Sequence, residues 1–370
     1  MKNIIGIKIK DLFSKIPLAK NLARQKFISD FTLGVIKSRN VQFKEVGLHF
    51  TTDSKVESNE RRIQAFFKDF NFDYQQVAIL LIMFLPKGKL SLSIDRTEWD
   101  FGKYQCNILM IVARHDGVGI PIYWDLLDNR SGNSNIDNRK ELIGKVISLI
   151  GVDRILVIVG DREFIGHQWI KYLKNNNIPF CMRMPKSHLI TLRNTDTYSV
   201  FVLLSTQTER YYQDCMIDGV WCNIMLKKLP DGDFLILAGN LPAKQLGRLY
   251  RKRWSIEVFF QTVKGRGFNL ENTHLKSSDK IKKLLVFVSI AVGICVNIGK
   301  YHHTKIQNIK TKKHGYKSNS FFRKGLDILR EGFRNINQGF LKIWEELLNI
   351  FTRWIQIQLS HYQYLIKNIG

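Results

Sequence analysis

The spacing of apolar residues changes at Pro86-Lys87-Gly88, and no other feature constrains the fold of this chain as strongly. Upstream, the period is helical. In NLARQKFISDFTLGVIKSRN, Phe27, Phe31 and Val35 lie near one face while Lys26 and Lys37 lie off it. NERRIQAFFKDFNFDYQQVAILLIMF adds one or two helices before the proline and glycine stop them. Downstream, the period drops to two. Leu90, Leu92 and Ile94 alternate with serines in KLSLSIDRTEW, which predicts a half-buried strand with Asp95 at its end.

CNILMIVARHDGVGIPIYWDLLD continues as two strands joined by a turn at His115-Asp116-Gly117, so three strands form an antiparallel meander. A helix over 138–150 follows, then RILVIVGD as a strand covered on both faces, IGHQWIKYLKNNN as an amphipathic helix and IPFCMRM as a fifth strand. That order predicts an α/β core around a mixed sheet. Residues 190–239 break into strand-like pieces (TYSVFVLLS, VWCNIMLKKL, DFLILAG) and predict an all-β insertion. The expected organisation is a basic helical region over 1–85, the core over 86–189 and 240–297 interrupted by that insertion, and a basic helical region over 298–370.

A net charge of +25 is spread along the chain, which makes nucleic acid the natural partner and residues 1–85 the expected DNA-binding region. The five cysteines form no C-x-x-C pair, which excludes a zinc ribbon and predicts reduced thiols in a cytoplasmic protein. Lysines interrupt the apolar residues of the N-terminus, so no export signal is expected. The longest apolar run, LLVFVSIAVGICV, is shorter than a bilayer span and predicts a buried core helix.

Asp161 ends the strand RILVIVG as Asp95 ends the first strand. If the two strands are parallel neighbours, both carboxylates emerge at one sheet edge and make a site for a hard cation such as Mg2+. RLYRKRWSIEVFFQTVKGRG holds a single carboxylate, Glu257, among six cationic side chains. On a continuous helix turning about 100° per residue, Tyr250, Arg253, Glu257 and Lys264 share an arc of roughly 60°. They would lie beside a core stripe of Leu249, Ile256, Phe260 and Val263, with Gly265 and Gly267 ending the helix. Glu257 would then complete the cation site, with Arg253 and Lys264 holding a phosphodiester and Tyr250 touching phosphate or a base.

The pattern Tyr250-x2-Arg253-x3-Glu257-x6-Lys264 resembles the Y-R-E-K signature of the IS-four family of insertion-sequence transposases. SIDRTEW and VGDREFIG resemble the surroundings of that family's two catalytic aspartates, nearest to the Tn-ten-like branch. The likeness extends through ILMIVARHDGVGIPIYWDLLDNRSGNSN and KKHGYKSNSFFRKGLDIL, over roughly residues 85–330. It implies an RNase H-like catalytic core, a β insertion between the second Asp and the Glu, and cut-and-paste transposition through a DNA hairpin. By the same resemblance Asp95, Asp161 and Glu257 would bind two Mg2+ ions, with Mn2+ as substitute, and Tyr250, Arg253 and Lys264 would hold the transposon end. The partners implied are double-stranded DNA and a second copy of the chain in a bacterial, nucleoid-associated dimer, with no membrane.

Related enzymes stack a flipped base on a tryptophan of the insertion, for which Trp221 is the candidate; a core tryptophan on a strand is the alternative. Arg96 and Arg162, next to the two aspartates, are expected either to position them and reach phosphate or to form structural ion pairs. Residues 300–324 hold eight Lys or Arg and no acid, so Lys312 and Lys313 are expected in a DNA backbone-binding loop. Two other classes share these features: an inactive, transposase-derived DNA-binding protein, and an RNase H-like nuclease acting on RNA.

Overall fold

The computed structural model describes residues 18–346, apart from 53, 102, 103, 128–131, 133, 314, 316, 336 and 337, together with residue 349. The first 17 residues of the N-terminal region and residues 351–370 of the C-terminal region therefore lie outside the described residues. Two compact units are present. One comprises Lys87–Trp99 with Gln105–Val258; the other comprises the described residues up to Pro86, Asp100–Tyr104 and those from Phe259 on.

The first unit is built on a ten-stranded sheet. Its strands are β1 (Leu90–Phe101), β2 (Tyr104–His115), β3 (Val118–Leu126), β4 (Ile155–Gly160), β5 (Phe180–Arg183), β6 (Leu189–Thr191), β7 (Thr197–Ser199), β8 (Glu209–Ile217), β9 (Val220–Lys228) and β10 (Phe234–Gly239), in the order β3-β2-β1-β4-β5-β10-β9-β8-β6-β7. β4 is parallel to both β1 and β5, whereas β2 and β3 are antiparallel. A meander followed by two crossover strands is the mixed sheet expected of an RNase H-like core. The insertion does not form a separate sheet. β10 pairs antiparallel with β5 and carries the remaining strands outward from the core.

Three sequence expectations change here. β1 runs on to Phe101, so Asp95 lies inside the strand, two residues past Ser93, which pairs with Val159 of β4. Ser91 and Ser93 are buried like their apolar neighbours, because both faces of β1 are covered. Within the insertion, TYSVFVLLS is a short strand followed by a one-turn helix over Val200–Leu204. Val200, Leu203 and Leu204 point inward at helical spacing while Phe201 and Val202 are exposed. A short apolar run carries too few periods to tell the two apart.

In the helical unit, α1 (Leu22–Ser38), α2 (Phe43–Gly47), α3 (Val56–Asp69) and α4 (Tyr74–Met83) precede the sheet in sequence. Asn21 and Asp73 start α1 and α4 by accepting hydrogen bonds from backbone N–H groups of the first turn. α1 is not amphipathic as its spacing suggested, since every residue from Phe27 to Ile36 is buried. A phenylalanine cluster fills this unit, with Phe27 stacked on Phe66 at 4.1 Å and Phe31 against Phe287 at 4.4 Å between ring centroids.

Further along the sheet unit come α5 (Ile136–Ile150), α6 (His167–Asn175), α7 (the Val200–Leu204 turn) and α8 (Ala243–Tyr250). α9 (Trp254–Gln261) carries the chain out of it, and α10 (Ser278–Lys305) and α11 (Phe321–Arg334) complete the helical unit. The apolar run LLVFVSIAVGICV is the middle of α10, whose 28 residues are long and apolar enough to cross a membrane. Most of that apolar stretch is buried within the protein, as a core helix requires.

Candidate active site

Parallel pairing of β1 with β4 sets the site. Ser93 faces Val159 across the ladder, and two residues further on each strand stand Asp95 and Asp161. Gly160 makes this approach possible. A Cβ there would sit 2.8 Å from the Met182 sulfur and 2.9 Å from Phe164 Cβ, so no larger residue fits between the strand and the turn that follows it. Asp161 opens that turn, with one carboxylate oxygen accepting from the Arg162 N–H at 2.8 Å.

α8 lies on the same sheet. Leu246 and Leu249 pack with Val157, Val159 and Leu237, and Tyr250 packs against this cluster. Burying such leucines is worth roughly 2–3 kcal/mol each, enough to hold the end of α8 in place. From there the chain carries Tyr250, Arg253 and Glu257 to the aspartates. Tyr250 Oη donates to Asp161 at 3.5 Å. Arg253 Nη1 donates to Asp95 at 3.0 Å, and its Nη2 is paired with Glu257.

The long helix expected over 250–264 is broken. A 3-10 turn occupies Arg251–Arg253, α9 follows, and Thr262–Arg266 forms a π-helical turn in which Lys264 has non-helical ψ. Each residue of a 3-10 turn advances about 120°, so the phase runs ahead of a regular helix. As a result Phe259 is fully buried and Phe260 only partly so. Lys264 lies beyond the sheet unit, where it pairs with Glu271 at 3.2 Å.

Electrostatics single out Asp95. Burial raises its pKa first, the carboxylates of Asp161 and Glu257 add to this, and Arg253 only partly compensates, leaving the group pushed up to about 6. Arg253 keeps its charge firmly: burial opposes it, but Tyr250, Asp95, Glu257 and Asp161 raise its pKa. Burial, aided by Asp161, pushes Tyr250 up to about 12, so its hydroxyl stays protonated and donates.

Among the described residues, no three His, Cys, Asp or Glu side chains are already gathered at metal-ligand spacing. Arg253 stands between two of the three carboxylates instead. The donor set nevertheless suits a hard divalent cation, since the Asp161 and Glu257 carboxylates both act on Asp95 and Arg253 offsets only part of their effect and of burial.

Arg96 donates its backbone N–H to the Asp95 carboxylate at 2.9 Å, but its side chain is engaged elsewhere. It pairs with Glu98, and with Glu163 at 2.9 Å. Glu163 was not singled out in the sequence, yet it also accepts from the Ser134 N–H at 2.8 Å and the Ser134 hydroxyl at 2.7 Å, with Arg139 at 3.6 Å. One half-buried carboxylate thus ties the Asp95 strand and the Asp161 turn to the start of α5. The only clue was its position two residues after Asp161. Arg162 and Arg183 share Asp233, at 3.3 and 3.5 Å.

Trp221 is 41% exposed on β9, not a core residue. Lys312 and Lys313 are exposed in the irregular segment between α10 and α11.

The family described as Transposase DDE domain matches residues 94–294, more than half of the chain. Among curated proteins, no sequence matches. Among solved structures, a cryo-EM structure of a piggyBac transposase synaptic complex with hairpin DNA aligns with a TM-score of 0.47 at 13% sequence identity, covering 94% of this chain and 82% of that one.

Proposed function

The chain belongs to the transposase DDE domain family, and we propose that it is an insertion-sequence transposase of the IS-four type, cutting DNA at terminal inverted repeats and joining the ends to target DNA. The observation that carries this reading is the pairing of β1 with β4, with Asp95 and Asp161 two residues beyond it and Glu257 linked to Asp95 through Arg253. Asp95, Asp161 and Glu257 are the residues to hold two divalent cations, Mg2+ or Mn2+. When bound, these supply Lewis-acid stabilisation of the charge that develops on the phosphodiester and favour ionisation of the attacking hydroxyl.

Water attacks the phosphodiester at each element end, and the 3′ oxygen leaves as a hydroxyl. That 3′ hydroxyl attacks a phosphodiester of the opposite strand, closing a hairpin and displacing the 3′ hydroxyl of the flanking DNA. Water then cleaves the hairpin and frees the element's 3′ hydroxyl, which attacks a target phosphodiester and displaces a target 3′ hydroxyl. Tyr250 donates its hydroxyl to a phosphate oxygen, the role its held proton suits. Arg253, freed from the carboxylates when cations take them, holds the phosphodiester, with Lys264 and Arg162 on the flanking backbone. Arg96 acts through Glu163 to position the Asp95 strand. Trp221 offers an exposed ring for an unpaired base, and Lys312 and Lys313 contact backbone phosphates. The protein works as a dimer on paired ends, at the bacterial nucleoid.

The ionised Asp95 that this site must hold is unfavourable in the metal-free protein. DNA binding alone gives no reason to keep it, which counts against an inactive relic. The test is Mg2+-dependent cleavage of DNA bearing the element's own repeats. Asp95→Ala, Asp161→Ala and Glu257→Ala each abolish it on this reading, and undiminished cleavage by any of them refutes it. Cleavage of RNA:DNA hybrids with indifference to the repeats would instead favour a nuclease.

A further inference from the structure

The helical unit carries a cationic cleft of its own. Lys37 in the last turn of α1, Glu45 on α2, His49 just after it, and Arg330, Phe333 and Arg334 at the end of α11 line a cleft of about 400 Å³. That volume falls within the range of roughly 300–1,000 Å³ typical of ligand sites. Among the described residues, three permanent cations face a single lining carboxylate.

The excess positive charge is visible in the groups themselves. Burial lowers the pKa of Arg330, and Arg39 and Arg334 lower it further. Among the described residues no carboxylate pairs with Arg330 or Arg334, and Asp327, whose charge reaches Arg330, is paired with Arg323 at 2.9 Å. Burial and then Lys37 lower the pKa of His49, so its ring is neutral at pH 7 and able to donate one hydrogen bond. Lys37 lies over the Phe333 ring at 5.0 Å, which fixes one wall. The carbonyl ends of α1 and α11 favour cations nearby without neutralising them, so the charge remains available to a ligand.

We propose that this cleft binds a phosphate group, and that its source is the DNA backbone. Two guanidiniums one helical turn apart match phosphate oxygens as forks, and the neutral imidazole adds a donor where a further cation would only repel its neighbours. The DNA source rests on the transposase reading above. The phosphate chemistry does not.

The experiment measures duplex binding by the full chain by fluorescence anisotropy across a range of salt, with binding of inorganic phosphate and of a mononucleotide followed in parallel. The double variant R330Q/R334Q should lose affinity and lower the slope of log K against log salt by up to about 2, since each released contact contributes about 0.9. The double variant K20Q/K68Q, with the same loss of charge at exposed lysines of the same unit, should lower it by less than half as much. Glu45→Gln removes the carboxylate among these lining residues and should tighten binding several-fold, a gain that misfolding cannot produce.

Equal slopes for the two double variants, with no gain from Glu45→Gln, would overturn the proposal. Binding of free phosphate or mononucleotide that is lost in R330Q/R334Q, with the duplex slope unchanged, would keep the phosphate site and overturn its DNA source. If the chain fails to cleave terminal repeats yet shows these differences, the transposase reading fails and the cleft stands.

Discussion

Replacing Asp95 by Asn should stabilise the metal-free protein while removing its activity. Asp95 has a side chain only 18% exposed and a pKa pushed up to about 6, against an ordinary value of 3.8. Holding it ionised at neutral pH therefore costs roughly 3 kcal/mol, because each pH unit between folded and unfolded pKa is worth about 1.4 kcal/mol. The sign follows from proton counting. Between pH 3.8 and about 6 the folded state binds more protons than the unfolded one, so stability falls as pH rises and the loss is complete above the folded pKa. Asparagine keeps an oxygen for Arg253 but carries no charge.

In EDTA at pH 7.5, the midpoint of thermal unfolding should rise in the variant by on the order of 5–10 °C for a unit of this size. At pH 4 the gain should shrink to nearly nothing, since all other groups titrate alike in both proteins. Added Mg2+ should narrow the gap at pH 7.5 by stabilising only the wild type. A variant no more stable than wild type at pH 7.5, or a gain that persists unchanged at pH 4, would refute the electrostatic account of the site.

Glu163→Gln should lose roughly 2–3 kcal/mol of stability, because Arg96 and Arg139 lose a common, largely buried carboxylate, and cleavage should slow even under conditions where the variant is fully folded. Chemical denaturation and single-turnover cleavage measure the two effects. Gly160→Ala should displace Asp161, since the added methyl meets Met182 and Phe164 at under 3 Å; weakened Mg2+ affinity in the folded variant is the readout. Trp221→Ala should change stability by less than about 1 kcal/mol, as its ring is well exposed, but should weaken binding to DNA ends with an unpaired base about tenfold relative to blunt duplex.

The residues that declare themselves in the sequence are those whose role follows from local period. Leu90, Leu92 and Ile94 predict a strand, and RILVIVG predicts its parallel neighbour, so the expected placement of Asp95 and Asp161 at one end of the sheet needs little more than the crossover rule. Where phase accumulates, the reading fails. Nothing in RLYRKRWSIEVFFQTVKGRG marks the 3-10 turn at Arg251–Arg253 or the π-helical turn at Thr262–Arg266, since Leu249, Ile256 and Val263 are buried in the broken helix as they would be in a regular one. Val200–Leu204 is too short an apolar run to reveal its period. Glu163 was hidden for another reason. Its partners Arg96, Ser134 and Arg139 are scattered in sequence, and only the folded sheet brings them to one carboxylate.

The most direct measurement replaces Mg2+ with Fe2+ and adds ascorbate and peroxide, so that hydroxyl radicals cut the polypeptide wherever the metal sits. Mass spectrometry of the fragments then locates the cuts. A cation held by Asp95, Asp161 and Glu257 predicts cuts clustered around residues 95, 161 and 257, all suppressed by excess Mg2+ and by Asp161→Ala. Cuts confined to other parts of the chain, or unchanged in Asp161→Ala, would contradict a shared metal site at these three carboxylates.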